Sequence, residues 1–526
     1  MEALPGDDVT SRQFTLIVSS LLQLVTTPSI LCAPWLGEAP SLVGPLSISS
    51  KGFVNARYPR RLSSRLLFPS FVQAAVMMDR AELMGVYRQA VLHNSDLAAA
   101  RADFAARQEA VPQVWANLLP VISAGTTVES TRMNRDEPQL MRERSGTTVQ
   151  ANLKQPVFNA AFWFELKAAE ASTAQAALEL SAKEQELILK TAETYFEALR
   201  ATDEQAASVA EEAALKQQLD QAQARLKGGL SSITDVLDAE SAYDNAFANR
   251  KLAQRKVDDA FEQLIRLTNN TYVSIEGMQH QLPVSAPVPD STQSWVDAAV
   301  GQNLALLASD YAVRAAEQNL NQRKSGHAPT VDAVASYRRG DNDSFGYSNP
   351  SDFGLDGYRS HVAQSSVALE MTIPIFSGGR TSSQSREAYD RLTQSEELRE
   401  SQRREVVLDT RNFFRAVNSD IEQIKARRQT IISSQRSLKA SKVGADVGTR
   451  NTVDVLNAQR QLFKAVRDYN NARYDYILNT LRLKEVAGTL SADDLLRLAD
   501  YLKPDYEPQL DFLPPELIHA STAGRS

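Results

Sequence analysis

Five histidines and one cysteine are the side chains through which this 526-residue chain could most readily bind a metal or attack a substrate. His93, His280, His327, His361 and His519 are scattered and form no ligand-spaced pair. Cys32 is alone, so no disulfide can be built within the chain, and it lies in a region expected to be removed, which would leave no thiol for a metal site or a nucleophile. No phosphate-binding GxxxxGK[ST], no GxSxG elbow and no HExxH helix occurs. Carboxylates are plentiful, but most are interspersed with Lys and Arg, as on solvated helix faces. Two stand apart. Asp235 and Asp454 each follow a glycine-containing break and open a long Pro-free stretch. A carboxylate there favours the positive end of a helix dipole, which is structural electrostatics rather than catalysis.

These two aspartates belong to an internal duplication. Asp235-Val-Leu-Asp-Ala matches Asp454-Val-Leu-Asn-Ala, 219 residues on. Gln155-Pro156-Val-Phe158 matches Ile373-Pro374-Ile-Phe376 at a shift of 218, and Leu119-Pro120 matches Ala328-Pro329 at 209. Three landmarks in one order define two repeats, over 80–290 and 291–502.

Each repeat carries the same elements. A helix is expected over 80–117 and again over 292–325, each ended by a proline. Two alternating segments follow. Val149, Ala151 and Leu153 oppose Gln150, Asn152 and Lys154 in the first repeat. Val367, Leu369, Met371 and Ile373 oppose Ala368, Glu370 and Thr372 in the second. Period-two alternation of about 10 residues is the strand signal, and the one a membrane barrel uses. Glu129–Ser145 and Gly340–Arg359, rich in Asp, Asn, Gly and Ser, are expected as hairpin loops. Residues 160–227 and 380–443 contain neither Pro nor Gly, enough for helices of about 100 Å. After the breaks at Gly228-Gly229 and at Gly444 and Gly448, a returning helix of similar length is expected. On it Val455, Leu462, Tyr469, Tyr476 and Leu483 recur every seven residues, the pattern of helices packed side by side.

Net charge −7 and a pI near 5.5 give no case for nucleic acid. After residue 80 no stretch of about 20 uninterrupted apolar residues occurs, so a membrane crossing there would have to use strands. Phe14–Leu31 is apolar, and Arg60, Arg61 and Arg65 precede a short apolar run ending at Ala74-Ala75. Residues 1–75 are therefore expected to be a leader that is removed. The Pro-rich polar segment 503–526 is expected to be a disordered tail. Four strands cannot close a barrel, and open edges in lipid are costly, so the chain is expected to oligomerise; three copies give about twelve strands. A periplasmic coiled-coil adaptor without a pore is the alternative, and it leaves the paired strands unexplained.

The segments LMGVYRQAVLHNSDL (83–97), QQLDQAQARLKGGLSSITDV (217–236), IPIFSGGRTSSQ (373–384), VGTRNTVDVLNAQ (447–459) and NARYDYILNTLRLKEVAGTLSADDL (471–495) resemble the TolC family of outer-membrane efflux and secretion channels, over about 83–502. The resemblance implies a mainly α chain with a β part: a tandem-repeat protomer of a homotrimer. Its 12-stranded β-barrel would sit in outer-membrane lipid and continue as a long periplasmic α-helical barrel. It implies a periplasmic adaptor and an inner-membrane ABC or RND pump as partners, no cofactor, and a part in type I protein secretion or drug efflux, with secretion slightly favoured. It also implies a gate at the periplasmic tip. Thr234 and Asp235 match linking positions of the outer helix pair, Gln218 also matches a linking position, Arg450 matches the inner-pair arginine, and Asp454 matches an aspartate lining the aperture. Asn457 stands where a second aspartate would, implying weaker cation selectivity. Ala445 and Lys442 replace a tyrosine and a glutamate of the closing network. Phe158, Phe162, Trp163 and Phe164 fit either a membrane-interface anchor or packing between strands and helices.

Overall fold

The computed structural model describes residues 78–135, 140–229, 232–341 and 361–514. The expected leader and the loop 342–359 lie outside the described residues. The first repeat runs α1 (Leu83–His93), α2 (Ser95–Gln108), α3 (Ala110–Ala116), β2 (Val121–Arg135), β3 (Leu140–Phe158), α4 (Ala160–Lys227) and α5 (Ile233–Thr268). The second runs α6 (Thr292–Gln302), α7 (Leu304–Lys324), β6 (Thr330–Asp341), β7 (His361–Thr372), α8 (Arg380–Asp446) and α9 (Thr452–Val486). Short elements surround the middle of α4: β1 (Met78–Ala81), β4 (Tyr272–Ile275), β5 (Gly277–Met278), α10 (Ala492–Ala499), β8 (Leu502–Lys503) and α11 (Pro508–Asp511).

The helix expected over 80–117 is broken. Asn94 caps the end of α1 through its N–H to Ala90 O, and its side chain accepts from Leu97 N at 2.8 Å to start α2. Asn303 does the same between α6 and α7, accepting from Leu306 N at 2.9 Å. The two asparagines lie 209 residues apart, a further landmark of the duplication. A short polar side chain that offers the backbone an alternative partner is what ends one helix and begins the next.

α4 fills the Pro- and Gly-free stretch with 68 residues, and α8 has 67. The returning helices are shorter than expected. α5 has 36 residues and α9 has 35, about 54 Å each. They accompany only the C-terminal part of the long helices. The N-terminal part of α4 is flanked by α2, with Arg107 on Glu179 at 2.9 Å and Arg101 on Glu184 at 3.4 Å. α5 meets it further on, through Lys256 to Glu204 at 2.8 Å and Arg250 to Glu212. α7 reaches α8 through Asp310 and Arg399 at 3.5 Å.

The main core lies at this waist. Tyr195, Phe196 and Leu199 of α4, Leu264 of α5, and Tyr474, Ile477 and Leu481 of α9 are buried together. β1 pairs with β4 in parallel, and β5 pairs with β8 antiparallel. The expected tail is corrected over residues 503–514, which are packed into this core, while residues 515–526 lie outside the described residues. Tyr506 and Phe512 are 5% and 1% exposed. Asn470 Nδ2 donates to Phe512 O at 3.0 Å, and Lys503 Nζ pairs with Asp511 at 2.7 Å. Gly277 leaves the space the Tyr506 ring occupies; a Cβ there would lie 2.0 Å from Tyr506 Cδ2. The Tyr506 and Tyr474 hydroxyls both donate to Asp203, which is fully buried on α4. Burial pushes the Asp203 carboxyl up to about 6 against the pull of those hydrogen bonds. Pro-rich composition hid this strap because its apolar residues are single and without period.

Candidate pore wall and tip

The four long strands form one antiparallel sheet in the order β2-β3-β6-β7. Ile122 pairs with Leu153, Leu153 with Ala335, and Ala335 with Val367. The next rungs of that face carry Ala333 with Leu369 and Val331 with Met371. The alternating sets of both repeats therefore share one apolar face, as expected, and in a single chain it is bare: Ile122, Val367 and Leu369 are 71%, 76% and 74% exposed. The other face is polar, with Gln150, Asn152 and Lys154 on β3, Asp332, Ser336 and Arg338 on β6, and Gln364, Ser366 and Glu370 on β7. Lys154 Nζ meets Asp332 at 2.9 Å, and Ser336 Oγ lies 2.7 Å from Ser366 Oγ.

The first hairpin corrects an expectation. The β2–β3 ladder runs through most of Glu129–Ser145, from Glu129 opposite Gly146 out to Arg135 opposite Leu140. Polar residues there do not mark a loop, because beyond an apolar band both faces of a ribbon can meet water. Similarly, Gly340 and Asp341 still pair with Val362 and His361 in the second hairpin. At the helix end of the sheet Phe158 and Trp163 are exposed, as are Ile375 and Phe376, whereas Phe162 and Phe164 are half-buried.

At the opposite end of the long helices lie the turns that carry the candidate gate residues. Gly229 takes φ +73° between α4 and α5, and Gly448 takes φ +78° between α8 and α9. Asp235 closes a capping box: its carboxylate accepts from Ser232 N at 3.0 Å while Ser232 Oγ accepts from Asp235 N at 3.2 Å. Asp454 repeats it with Asn451, at 3.3 and 2.8 Å. Both aspartates thus stabilise a helix start, as their spacing suggested. Thr234 is exposed, with Oγ1 2.6 Å from Ser232 Oγ. Arg450 is exposed and its backbone N–H donates to Gly444 O at 3.1 Å. Gly444 leaves room for the Arg450 side chain, since a Cβ there would meet Arg450 Cγ at 2.7 Å. Asn457 is exposed, and Asp454 and Gln218 are half-buried.

The residue that joins the two turns is one that sequence reasoning passed over. Leu456, between Asp454 and Asn457, is 1% exposed and buried with Leu215, Leu219, Val236 and Ala239 of α4 and α5. It seats the first turn of α9 on the pair α4–α5. Its signal was the apolar position beside Val455 in the repeated motif.

The model of the family described as "Outer membrane efflux protein" matches the chain twice, over residues 86–270 and 295–489. The chain belongs to this family. The two matches coincide with the two structural repeats. Outer membrane protein TolC of Vibrio cholerae is 32% identical over 444 residues, covering 83% of this chain and 98% of that protein. TolC of Escherichia coli is 33% identical over 420 residues, covering 80% and 85%. The alkaline protease secretion protein AprF of Pseudomonas aeruginosa is 25% identical, covering 65% of this chain and 70% of that protein. Among solved structures, CusC superposes with a TM-score of 0.68 at 16% identity over 79% of this chain and 93% of that one. CmeC of Campylobacter jejuni gives 0.65 at 13% identity over 86% and 99%. The fold is that of the outer-membrane efflux channels, and the protein is placed in the outer membrane. Among the described residues no helix is long and apolar enough to cross a membrane.

Proposed function

We propose that three copies of this chain close a twelve-stranded barrel in the outer membrane and that the helices continue it as a gated duct across the periplasm. The observation that carries the reading is the sheet. It has an exposed apolar face and two edges, β2 and β7, that pair with no other strand among the described residues. Hydrocarbon tolerates the face but not the edges, where each unpaired backbone group costs several kcal/mol. Pairing β7 of one copy with β2 of the next removes every edge, and three copies supply about twelve strands, an allowed barrel size.

The duct serves as the exit of a tripartite export system, with a periplasmic adaptor and an inner-membrane ABC or RND pump supplying the energy. Likeness to a protein named for alkaline protease secretion favours polypeptide export, and likeness to the efflux protein BepC of Brucella suis keeps small-molecule efflux as a second role. The tip turns act as the gate: Thr234, Asp235 and Gln218 face Arg450 across the helix pairs, and Asp454 lines the aperture above Asn457. The test is single-channel conductance of the detergent-purified trimer in a planar bilayer. Small, discrete, cation-preferring openings that grow in Asp235→Ala and Arg450→Ala support the reading. A monomer that is soluble without detergent and makes no openings overturns it in favour of the adaptor.

A further inference from the structure

Towards the tip the helices have edges of their own. α5 is tied to α4 by Arg250 on Glu212 and Lys256 on Glu204. α4 is tied to α9 by Arg467 on Glu211 at 2.9 Å and Arg200 on Asp475 at 2.6 Å. α9 is tied to α8 by Arg427 on Asp468 at 3.0 Å and by Asn479 Nδ2, which donates to Asp420 at 2.8 Å. The order there is α5–α4–α9–α8, which leaves α5 and α8 at the two ends. α5 lies beyond α4 as β2 lies beyond β3, and α8 follows from β7, so these ends continue the two edges of the sheet.

Charge is segregated by sign on the two end helices. From Gln423 to Ala445, α8 carries Lys425, Arg427, Arg428, Arg436, Lys439 and Lys442 and no carboxylate. From Ile233 to Asn249, α5 carries Asp235, Asp238, Glu240 and Asp244 and no basic residue. A solvated helix face mixes the two signs, as most of this chain does. Arg436, Lys439, Lys442, Glu240 and Asp244 are exposed, and none has an ion-pair or hydrogen-bond partner within the chain among the described residues. Their spacing of three or four sets like charges beside each other, which costs stability unless an opposite charge lies nearby.

The two stripes stand at one level. Leu456, near the start of α9, is buried with Val236 and Ala239, near the start of α5, so the two turns are level. At 1.5 Å per residue, Lys442, Lys439 and Arg436 lie about 6, 10 and 15 Å from the tip end of α8. Glu240 and Asp244 lie about 10 and 16 Å from the tip end of α5. The buried seams, Ile431, Ser434, Leu438 and Ser441 on α8 and Val236, Ala239, Ala242 and Ala246 on α5, are turned away from these charges. Counted round each helix from its seam, Lys439, Lys442, Glu240 and Asp244 fall on one lateral side when α8 and the α5 of another copy are set antiparallel.

We propose that α8 of one copy docks on α5 of the next, with Arg436, Lys439 and Lys442 set against Glu240 and Asp244 as a charged seam just above the tip turns. The occupant of each edge is a second copy of this chain, named by opposite charge at equal height and by continuity with the edges of the sheet. The inference rests on the trimeric reading. A seam of exposed charges is screened by salt, so it holds the tips together most firmly at low ionic strength.

The test puts one cysteine on each edge of the full-length chain, Glu240→Cys with Lys439→Cys, in a Cys32→Ser background that has no other thiol. A short bismaleimide added to the detergent-purified trimer should join chains into dimers and trimers on a denaturing gel, and either single variant should give neither. With the native cysteine count, Glu240→Lys with Asp244→Lys should lower the temperature of trimer dissociation at low salt by about 3 °C or more. Adding Lys439→Glu and Lys442→Glu should restore it, and at 1 M salt, where the Debye length is about 3 Å, the shift should vanish. A trimer whose double-cysteine variant cross-links no better than the single ones, or whose dissociation ignores the charge reversal at low salt, overturns the seam and leaves the pore reading intact. A chain that light scattering shows to be monomeric in detergent overturns the pore reading and the seam together.

Discussion

Replacing Leu456 by alanine should loosen the tip more than breaking any polar link there. Leu456 is 1% exposed in a small cluster of α4, α5 and α9 that is separate from the waist core. Truncating a buried leucine costs about 2–5 kcal/mol, and the lower end applies where neighbouring helices can close the gap. Exposed ion pairs and hydroxyl contacts are worth about 0–1 kcal/mol each. Even about 2 kcal/mol changes an equilibrium by about thirtyfold in every protomer. The capping boxes of Asp235 and Asp454 use no atom of Leu456, so the helix starts remain. Single-channel recording should show larger or longer openings for Leu456→Ala than for Arg450→Ala, with thermal unfolding of the waist unchanged. Leu456→Met, which conserves volume, should behave nearly as wild type. A Leu456→Ala channel as tight as wild type, beside an Arg450→Ala channel that opens, would show that polar links rather than this contact hold the two turns together.

Three further outcomes follow from the described geometry. Asp203 has a carboxyl raised from 3.8 to about 6, so the folded protein holds its proton more tightly than the unfolded chain. The stability this contributes is full below about pH 4 and is lost as pH rises through 6, about 3 kcal/mol in all; Asp203→Asn should flatten the fall in melting temperature between pH 4 and pH 7. Gly277→Ala drives a methyl into the Tyr506 ring and should cost about 1–3 kcal/mol, seen as a lowered melting temperature and faster proteolytic loss of residues 503–514. Asp454→Asn removes the carboxylate assigned to the aperture, and the reversal potential in a potassium chloride gradient should move towards zero; an unchanged value would leave Asp454 only its capping role.

How far the sequence could be read depended on whether the signal was local. α4 begins and ends where the run without Pro and Gly does, because nothing in that run offers the backbone an alternative to helix. The alternation of Val149–Lys154 and Val367–Thr372 survived because a strand's two faces meet different surroundings. The break at Asn94 was equally local and was missed: the capping asparagine sits inside an otherwise periodic apolar pattern, and its twin at Asn303 was the clue. Polar composition misled at Glu129–Ser145, where a ribbon continues, and at 503–514, where Tyr506 and Phe512 are buried singly. The Asp203 cluster and the seat of Leu456 join residues far apart in the chain, and no spacing announces them.

The two unpaired edges of the sheet also have a genetic consequence. In the proposed trimer no chain owns a complete barrel; each lends an edge to two neighbours. A chain with a spoiled β2 or β7 edge, mixed equally with intact chains, would leave only about one assembly in eight free of a faulty copy. Such alleles should therefore act dominantly over a normal gene, whereas a chain that fails to fold at all should be recessive. Which segments of the sequence produce dominant alleles would then trace the seams of the barrel from outside the molecule.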